Sequence, residues 1–243
     1  MSDILNLNTY DNYVLSLGPA VYYPLTERAG NNRANDLVTG ANHLDNAYTA
    51  DPGSAGPGQT SLVRSTHFTR ANSDQANILD NDTVSTGDID FTLCGWANKD
   101  SSPAGEMFII SKDGGIANTS EFGLLWSNVE NRWRFYITNQ ARAVFNVIDA
   151  NTLGVPSNAT WYFIAAWVDR TAATVNIQIN DGAIDSIAKT VTMFNGTARF
   201  GIGGRQITAG SDNFFDGSVA GVSLSKRILS SNERTKLYQL GLA

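Results

Sequence analysis

The sequence predicts an all-β sandwich or barrel that closes on a short helix, and three observations carry that expectation. Short apolar runs succeed one another from about residue 63 to the end. Gly, Asn, Asp or Ser bounds each run, at spacings of roughly 8–15 residues, the rhythm of strands joined by turns. Charged residues fill only 16% of 243 positions, against ~25% in an average domain, so Asn, Thr, Ser and Gly must supply the polar surface.

Taken in order, Tyr10, Tyr13, Val14 and Leu17 fall at i, i+3, i+4 and i+7, the stripe of a short amphipathic helix that Gly18-Pro19 stops. Val21 to Leu25 reads as a first strand. Residues 30–62 hold few large apolar side chains but carry Asp51-Pro52-Gly53 and Gly56-Pro57-Gly58, so this zone is expected to be mostly loop. Strands are then expected at Phe91–Ala97, Met107–Ser111, Phe122–Trp126, Trp133–Thr138, Ala143–Ile148 and Trp161–Val168. Val175–Ile179, Thr190–Met193, Arg199–Ile202 and Phe215–Leu224 follow. Trp161–Val168 is apolar on both faces and should be a covered central strand. Val175, Ile177 and Ile179 alternate with Asn176, Gln178 and Asn180, and Asn180-Asp181-Gly182 comes next, which reads as a half-exposed strand entering a hairpin turn. Ser230 and Glu233 have the spacing of a capping box. Leu237 and Tyr238 continue that helix for about a turn and a half, with Gly241 as its C-terminal stop. With no repeat or linker, residues 19–243 are expected to form one domain, preceded by residues 1–18 as an arm or short helix.

Counting excludes several chemistries. Cys94 is the sole cysteine and His43 and His67 are the only histidines, so an internal disulfide and Cys/His zinc sites lack ligands. The chain carries 17 basic and 23 acidic residues, a net charge of −6, which argues against nucleic acid and anionic membranes as partners. The longest apolar run, Trp161 to Val168, is far short of the ~20 residues that span a bilayer. No basic start followed by an apolar stretch marks a secretory signal.

A further layer comes from the order of motifs. Tyr10-x-x-x-Val14-Leu15 leads to Pro19-Ala-Val-Tyr-Tyr-Pro-Leu25-x-Glu27-x-x-Gly30, and Asn35-Asp36 precedes Gly40. Phe68, Ile78, Asp80-Asn81 and Asp90-Phe-Thr-Leu with Trp96 follow, then Trp161-Tyr-Phe-Ile-Ala, Phe200-Gly-Ile-Gly and Phe215-Asp-Gly-Ser-Val-Ala-Gly-Val. Arg227-Ile-Leu-Ser, Glu233, Leu237-Tyr238 and Gly241 close the series. This order resembles the laminin-G-like, concanavalin A-like lectin/glucanase jelly-roll superfamily, particularly its bacterial and phage members. The resemblance covers nearly the whole chain. It implies two antiparallel sheets packed face to face, one of them curved. Lectins, receptor-binding modules, glycoside hydrolases and virion proteins share such folds, so the site must decide the function.

No catalytic residues are expected. Glucanase relatives alternate Glu, Asp and Glu along one strand, which puts all three on one face. Here Asp88-Ile-Asp90 has the wrong first acid and no third, and Gly87 places Asp88 in a turn. No cofactor is expected to be required. The resemblance implies a structural Ca2+ held by Glu27, Asp36 and Asp216, although Ala220 and Gly221 stand where relatives carry an acidic pair; the alternative is that Asp36 caps a turn. For sugar binding, Trp133, Phe135 and Ile137 alternate with Arg132, Arg134 and Tyr136, one face apolar and one cationic-aromatic. Arg134 and Tyr136 are therefore candidate ligand residues, with Asn176 and Gln178 joining them and Trp126 half-exposed at a strand end. The function expected is a non-catalytic attachment or structural protein of a phage virion: a capsid decoration, fibre or tail-associated protein. Its partners would be a capsid or tail protein or a cell-surface glycan, in a homo-oligomer or larger assembly. It would be made in the cytoplasm and released on lysis. A stand-alone carbohydrate-binding lectin is the alternative, and a glycoside hydrolase is further off.

Overall fold

The computed structural model describes residues 8–45, 47–207 and 212–243. Helix α1 (Thr9–Ser16) comes first, then β1 (Val21–Tyr23), β2 (Ala47–Tyr48), β3 (Asp51–Ala55), β4 (Arg64–Phe68) and β5 (Ala76–Ile78). Longer strands follow: β6 (Phe91–Lys99), β7 (Met107–Lys112), β8 (Phe122–Ser127), β9 (Arg132–Thr138) and β10 (Phe145–Asp149). The chain continues through β11 (Trp161–Asp169), β12 (Thr174–Ile179), β13 (Ile184–Ala188), β14 (Phe200–Ile202) and β15 (Gly217–Ser225), and ends in α2 (Ser231–Leu242).

These strands make two sheets. One runs β13-β12-β11-β6-β15-β4-β3, with β1 also paired to β15; the other runs β10-β9-β8-β7-β14-β5-β2. Every strand pairing among the described residues is antiparallel. Alternation along the strands sends one set of side chains between the sheets. Leu93 and Ala97 of β6, Ile164, Ala166 and Val168 of β11, and Trp133, Phe135 and Ile137 of β9 share that core. The fold expected from spacing and resemblance, a two-sheet antiparallel jelly-roll sandwich with a C-terminal helix, is the fold observed.

The outer face of the first sheet is apolar too. Cys94, Trp96, Phe163 and Ala165 point away from the sandwich core and are covered by Tyr10 and Val14 of α1 and Leu237 of α2. So β11 is covered on both faces, as its sequence requires. Residues 1–7 of the expected N-terminal arm lie outside the described residues, whereas Thr9–Ser16 is a helix packed on its own sandwich.

Asn8 caps α1 by accepting the Asp11 amide, and Gly18 follows it at φ 65°. The capping box of α2 is formed, and Arg227 holds the Glu233 carboxyl down at about 2. However, α2 has 12 residues and runs past Gly241. That glycine is not a stop. A Cβ there would sit 2.4 Å from the Trp96 ring, so its bare backbone is what lets α2 settle onto β6, with Tyr238 stacked on Trp96. Tertiary packing overrides the capping signal.

Three further departures have local causes. β2 and β3 lie in the expected loop zone, and Pro52 is tolerated because β3 is an edge strand. β13 was not expected, since Ile184-Asp-Ser-Ile-Ala alternates poorly and is half-exposed. Conversely, Thr190–Met193 is no strand. Asn146 Oδ1 accepts the Thr190 and Val191 amides (2.9 and 2.8 Å), and Asp88 accepts that of Met193 at 3.3 Å. Side chains replace a strand partner there.

Candidate binding site

The structure separates the residues expected to bind ligand. Arg134 and Tyr136 lie on the outer face of the seven-stranded sheet, opposite the core set of β9. Asn176 and Gln178 lie on the outer face of the other sheet, as the alternation of β12 dictates, so the two pairs cannot share one site. Both amides are buried. Arg234 of α2 donates to Gln178 Oε1 at 2.7 Å and stacks 4.2 Å above the Trp167 ring, while Asn176 donates to Thr174. Trp126 is only 2% exposed. It faces inward opposite Trp133, because β8 remains fully paired to its end.

The outer face of the seven-stranded sheet is aromatic and ion-paired. Phe108, Tyr136 and Phe145 meet edge to face across it. Gly123 lies beneath the first two, and a Cβ there would meet both rings within 2.7 Å. Arg134 grips Asp149 through two bonds of 2.7 and 3.0 Å. Just past the end of β7 is Asp113, with a fully buried side chain. It accepts two bonds from Arg142 (3.0 and 2.8 Å), one from Ser120 (2.5 Å), one from the Gly115 amide (2.7 Å) and one from the Tyr136 hydroxyl. Burial alone would raise its carboxyl, but the bonds from Arg142, Ser120 and Tyr136 outweigh this and hold it below the usual 3.8. Tyr136, by contrast, has its phenol pushed up by burial and by Asp113. It is therefore a strut rather than an open sugar platform.

Asp113 joins two loops, and those loops border a cavity. Three segments border an open cavity of about 670 Å³: the β7–β8 connection with Ala117 and Asn118, the β9–β10 connection with Asn139, Gln140 and Ala141, and the crossover from β13 to β14 with Thr192, Met193 and Phe194. Gln140 Nε2 donates to Asn118 Oδ1 at 2.9 Å, and the Asn118 amide donates to the Gln140 carbonyl at 2.8 Å. Asn139 Oδ1 accepts the Ala143 and Val144 amides. The third segment is tied to the first by Ala198 N to Thr119 O at 3.0 Å.

Beneath these loops lies a buried ion pair. Lys112 and Glu121 side chains are both 0% exposed and 3.0 Å apart. Lys112 also donates to Asp80, Gly196 O and Ala198 O. Glu121 accepts the amides of Thr86, Gly87 and Gly196 and the Thr86 hydroxyl. Sequence reasoning missed the pair, the Asp113 cluster and the cavity. The one available signal was Lys and Asp together at a strand end, followed by Gly114-Gly115.

The implied calcium site does not fit. Asp36 accepts the Tyr22 and Val38 amides and the Thr39 hydroxyl, so it caps a turn. Asp216 accepts the Arg70 amide and the Ser101 hydroxyl. Glu27 uses Oε1 on Asn35, and only its buried Oε2 lacks a partner. N–H and O–H donors aimed at a carboxylate repel a cation, and among the described residues no three acidic, His or Cys groups converge on a metal position. A melting scan with excess chelator is expected to superimpose on the untreated scan; a lowered midpoint would restore a calcium site. The acids weighed for catalysis are likewise engaged. Asp88 pairs with Lys189 at 2.7 Å, and Asp90 accepts the Arg170 amide. No helix among the described residues is long and apolar enough to cross a membrane.

Comparison with known proteins gives three findings. The family model described as the concanavalin A-like lectin/glucanases superfamily matches residues 70–233. No curated protein matches. Among solved structures, the fold is similar to domain 4 of AbnA, an extracellular arabinanase from Geobacillus stearothermophilus, in complex with arabinotriose (TM-score 0.63, 14% identity, 91% of this chain and 98% of that one). It is also similar to the binding domain of Paraclostridial Mosquitocidal Protein 1 (TM-score 0.66, 11% identity, 90% and 51%). A third is the ligand binding domain of Botulinum neurotoxin serotype D in complex with N-acetylneuraminic acid (TM-score 0.59, 14% identity, 91% and 50%). The chain thus spans about half the length of the two toxin domains.

Proposed function

The chain belongs to the concanavalin A-like lectin/glucanases superfamily, and from that premise we propose that it is a non-catalytic attachment module that binds glycan at the loop cavity. The observation that carries this reading is the cavity itself. It is open, it joins an aromatic ring, Phe194, to the amides of Asn118, Asn139 and Gln140, and it is bordered by loops fixed through Asp113. Sugars offer an apolar C–H face and a ring of hydroxyls, and this pairing of surfaces suits both. The similar folds of two toxin binding domains and of an arabinanase domain in complex with arabinotriose support the same reading. A phage particle remains the proposed carrier, as a decoration, fibre or tail-associated protein; electron microscopy of the native source tests it.

A glycan array followed by calorimetry on the hits tests the site. Phe194→Ala and Asn118→Ala are each expected to weaken binding at least tenfold, a loss of about 1.4 kcal/mol, while circular dichroism shows the fold retained. Retention of full affinity by both variants, or no glycan bound by the parent chain, would overturn the reading.

A further inference from the structure

We infer that the cavity selects neutral saccharides and rejects anionic ones, an inference that rests on the glycan-binding reading of the same site. The lining contains no charged side chain. Two charged groups that border the lining are ion-paired. Arg142, next to Ala141, spends Nε and one terminal nitrogen on Asp113, and its guanidinium lies 5.1 Å from the centre of the Phe145 ring. Asp88, behind the Met193 amide, is matched by Lys189 at 2.7 Å and Arg170 at 3.5 Å. A carboxylate entering this space would lose hydration and meet no cation among the lining residues, which is unfavourable.

The groups left over suit hydroxyls. The bond from Gln140 Nε2 to Asn118 Oδ1 orients both amides. It leaves Asn118 Nδ2 as a donor and Gln140 Oε1 as an acceptor, with no protein partner among the described residues. Asn139 Oδ1 is taken by two backbone amides, which leaves its Nδ2 to donate. A vicinal pair of sugar hydroxyls both donates and accepts, so it can satisfy such a mixed set, whereas a carboxylate only accepts. Phe194 is half-buried and Met193 is buried beside these amides, giving the sugar ring an apolar floor.

The test uses an array of matched pairs, each a neutral oligosaccharide and its sialylated counterpart, lactose with sialyllactose among them, followed by calorimetry at low and high NaCl. Neutral members are expected to bind, with affinity changing less than about twofold between ~50 and ~500 mM NaCl, and their sialylated partners to bind at least tenfold more weakly. Ala141→Lys, on an exposed loop, is expected to narrow that gap by supplying the missing cation. Sialylated partners that bind as well as or better than neutral ones, through a Phe194-sensitive site, would overturn the selectivity while leaving the glycan-binding reading intact. No binding to either class would remove both.

Discussion

Lys112→Ala is expected to cost about 3–5 kcal/mol of folding stability. Its ammonium is wholly buried and meets Glu121, Asp80 and the carbonyls of Gly196 and Ala198 within 3.0 Å. Removing it leaves the Glu121 carboxylate in the interior without its cation, and unpartnered buried charge costs far more than an exposed ion pair is worth. The same change unties three segments at once, because Lys112 sits at the end of β7, Asp80 follows β5, and Gly196 and Ala198 precede β14. Glu121→Ala should cost at least as much, since it also strands the amides of Thr86, Gly87 and Gly196. Urea unfolding at constant m-value measures both, and a loss below about 1 kcal/mol for Lys112→Ala would refute the role given to the pair.

Asp113→Ala is expected to remove glycan binding and about 3 kcal/mol of stability together, because five hydrogen bonds to one buried carboxylate disappear. Asp113→Asn separates geometry from charge. It keeps the volume but pairs poorly with Arg142, so affinity should fall at least tenfold while the fold persists. The pH profile supplies an independent check. The folded carboxyl titrates below its usual 3.8, so its contribution is complete above about pH 4 and is lost as pH falls through the folded value. Acid unfolding of the parent chain should therefore be steeper in that window than that of Asp113→Asn. Parallel curves would show that the carboxylate is not held as described.

What the sequence made legible follows from period and position. The alternation of β12 and the doubly apolar β11 placed two strands and their core faces, because side-chain direction along a strand is fixed by the backbone, but the polar face of β12, expected to be exposed, is buried where Arg234 of α2 reaches Gln178. The stripe of Tyr10 and Val14 and the pair Ser230 and Glu233 found both helices from local rules alone. The site was less legible for the same reason: alternation says that Arg134 and Gln178 leave the core, but not on which side of the molecule. Only the strand order places them on opposite outer faces. Trp126 looked half-exposed at a strand end, and pairing with Trp133 buried it. The cavity is built from irregular loops whose geometry depends on Asp113 and Asn146, both contacting residues more than twenty positions away. Nothing local announces such contacts.

The helices also set an orientation. α1 and α2 both lie on the eight-stranded sheet, and the carbonyl of Ala243 accepts the amides of Gln59, Thr60 and Ser61. Two of the cavity's three segments are connections within the other sheet, and the third crosses over to it from β13. A tether attached near either helix would thus leave the cavity loops turned away from whatever anchors the chain, like a plug mounted with its pins outward. Immobilising the protein through an engineered cysteine on the exposed side of α2, such as Lys236→Cys, should preserve ligand access. Coupling through the loop at Gln140 should abolish it.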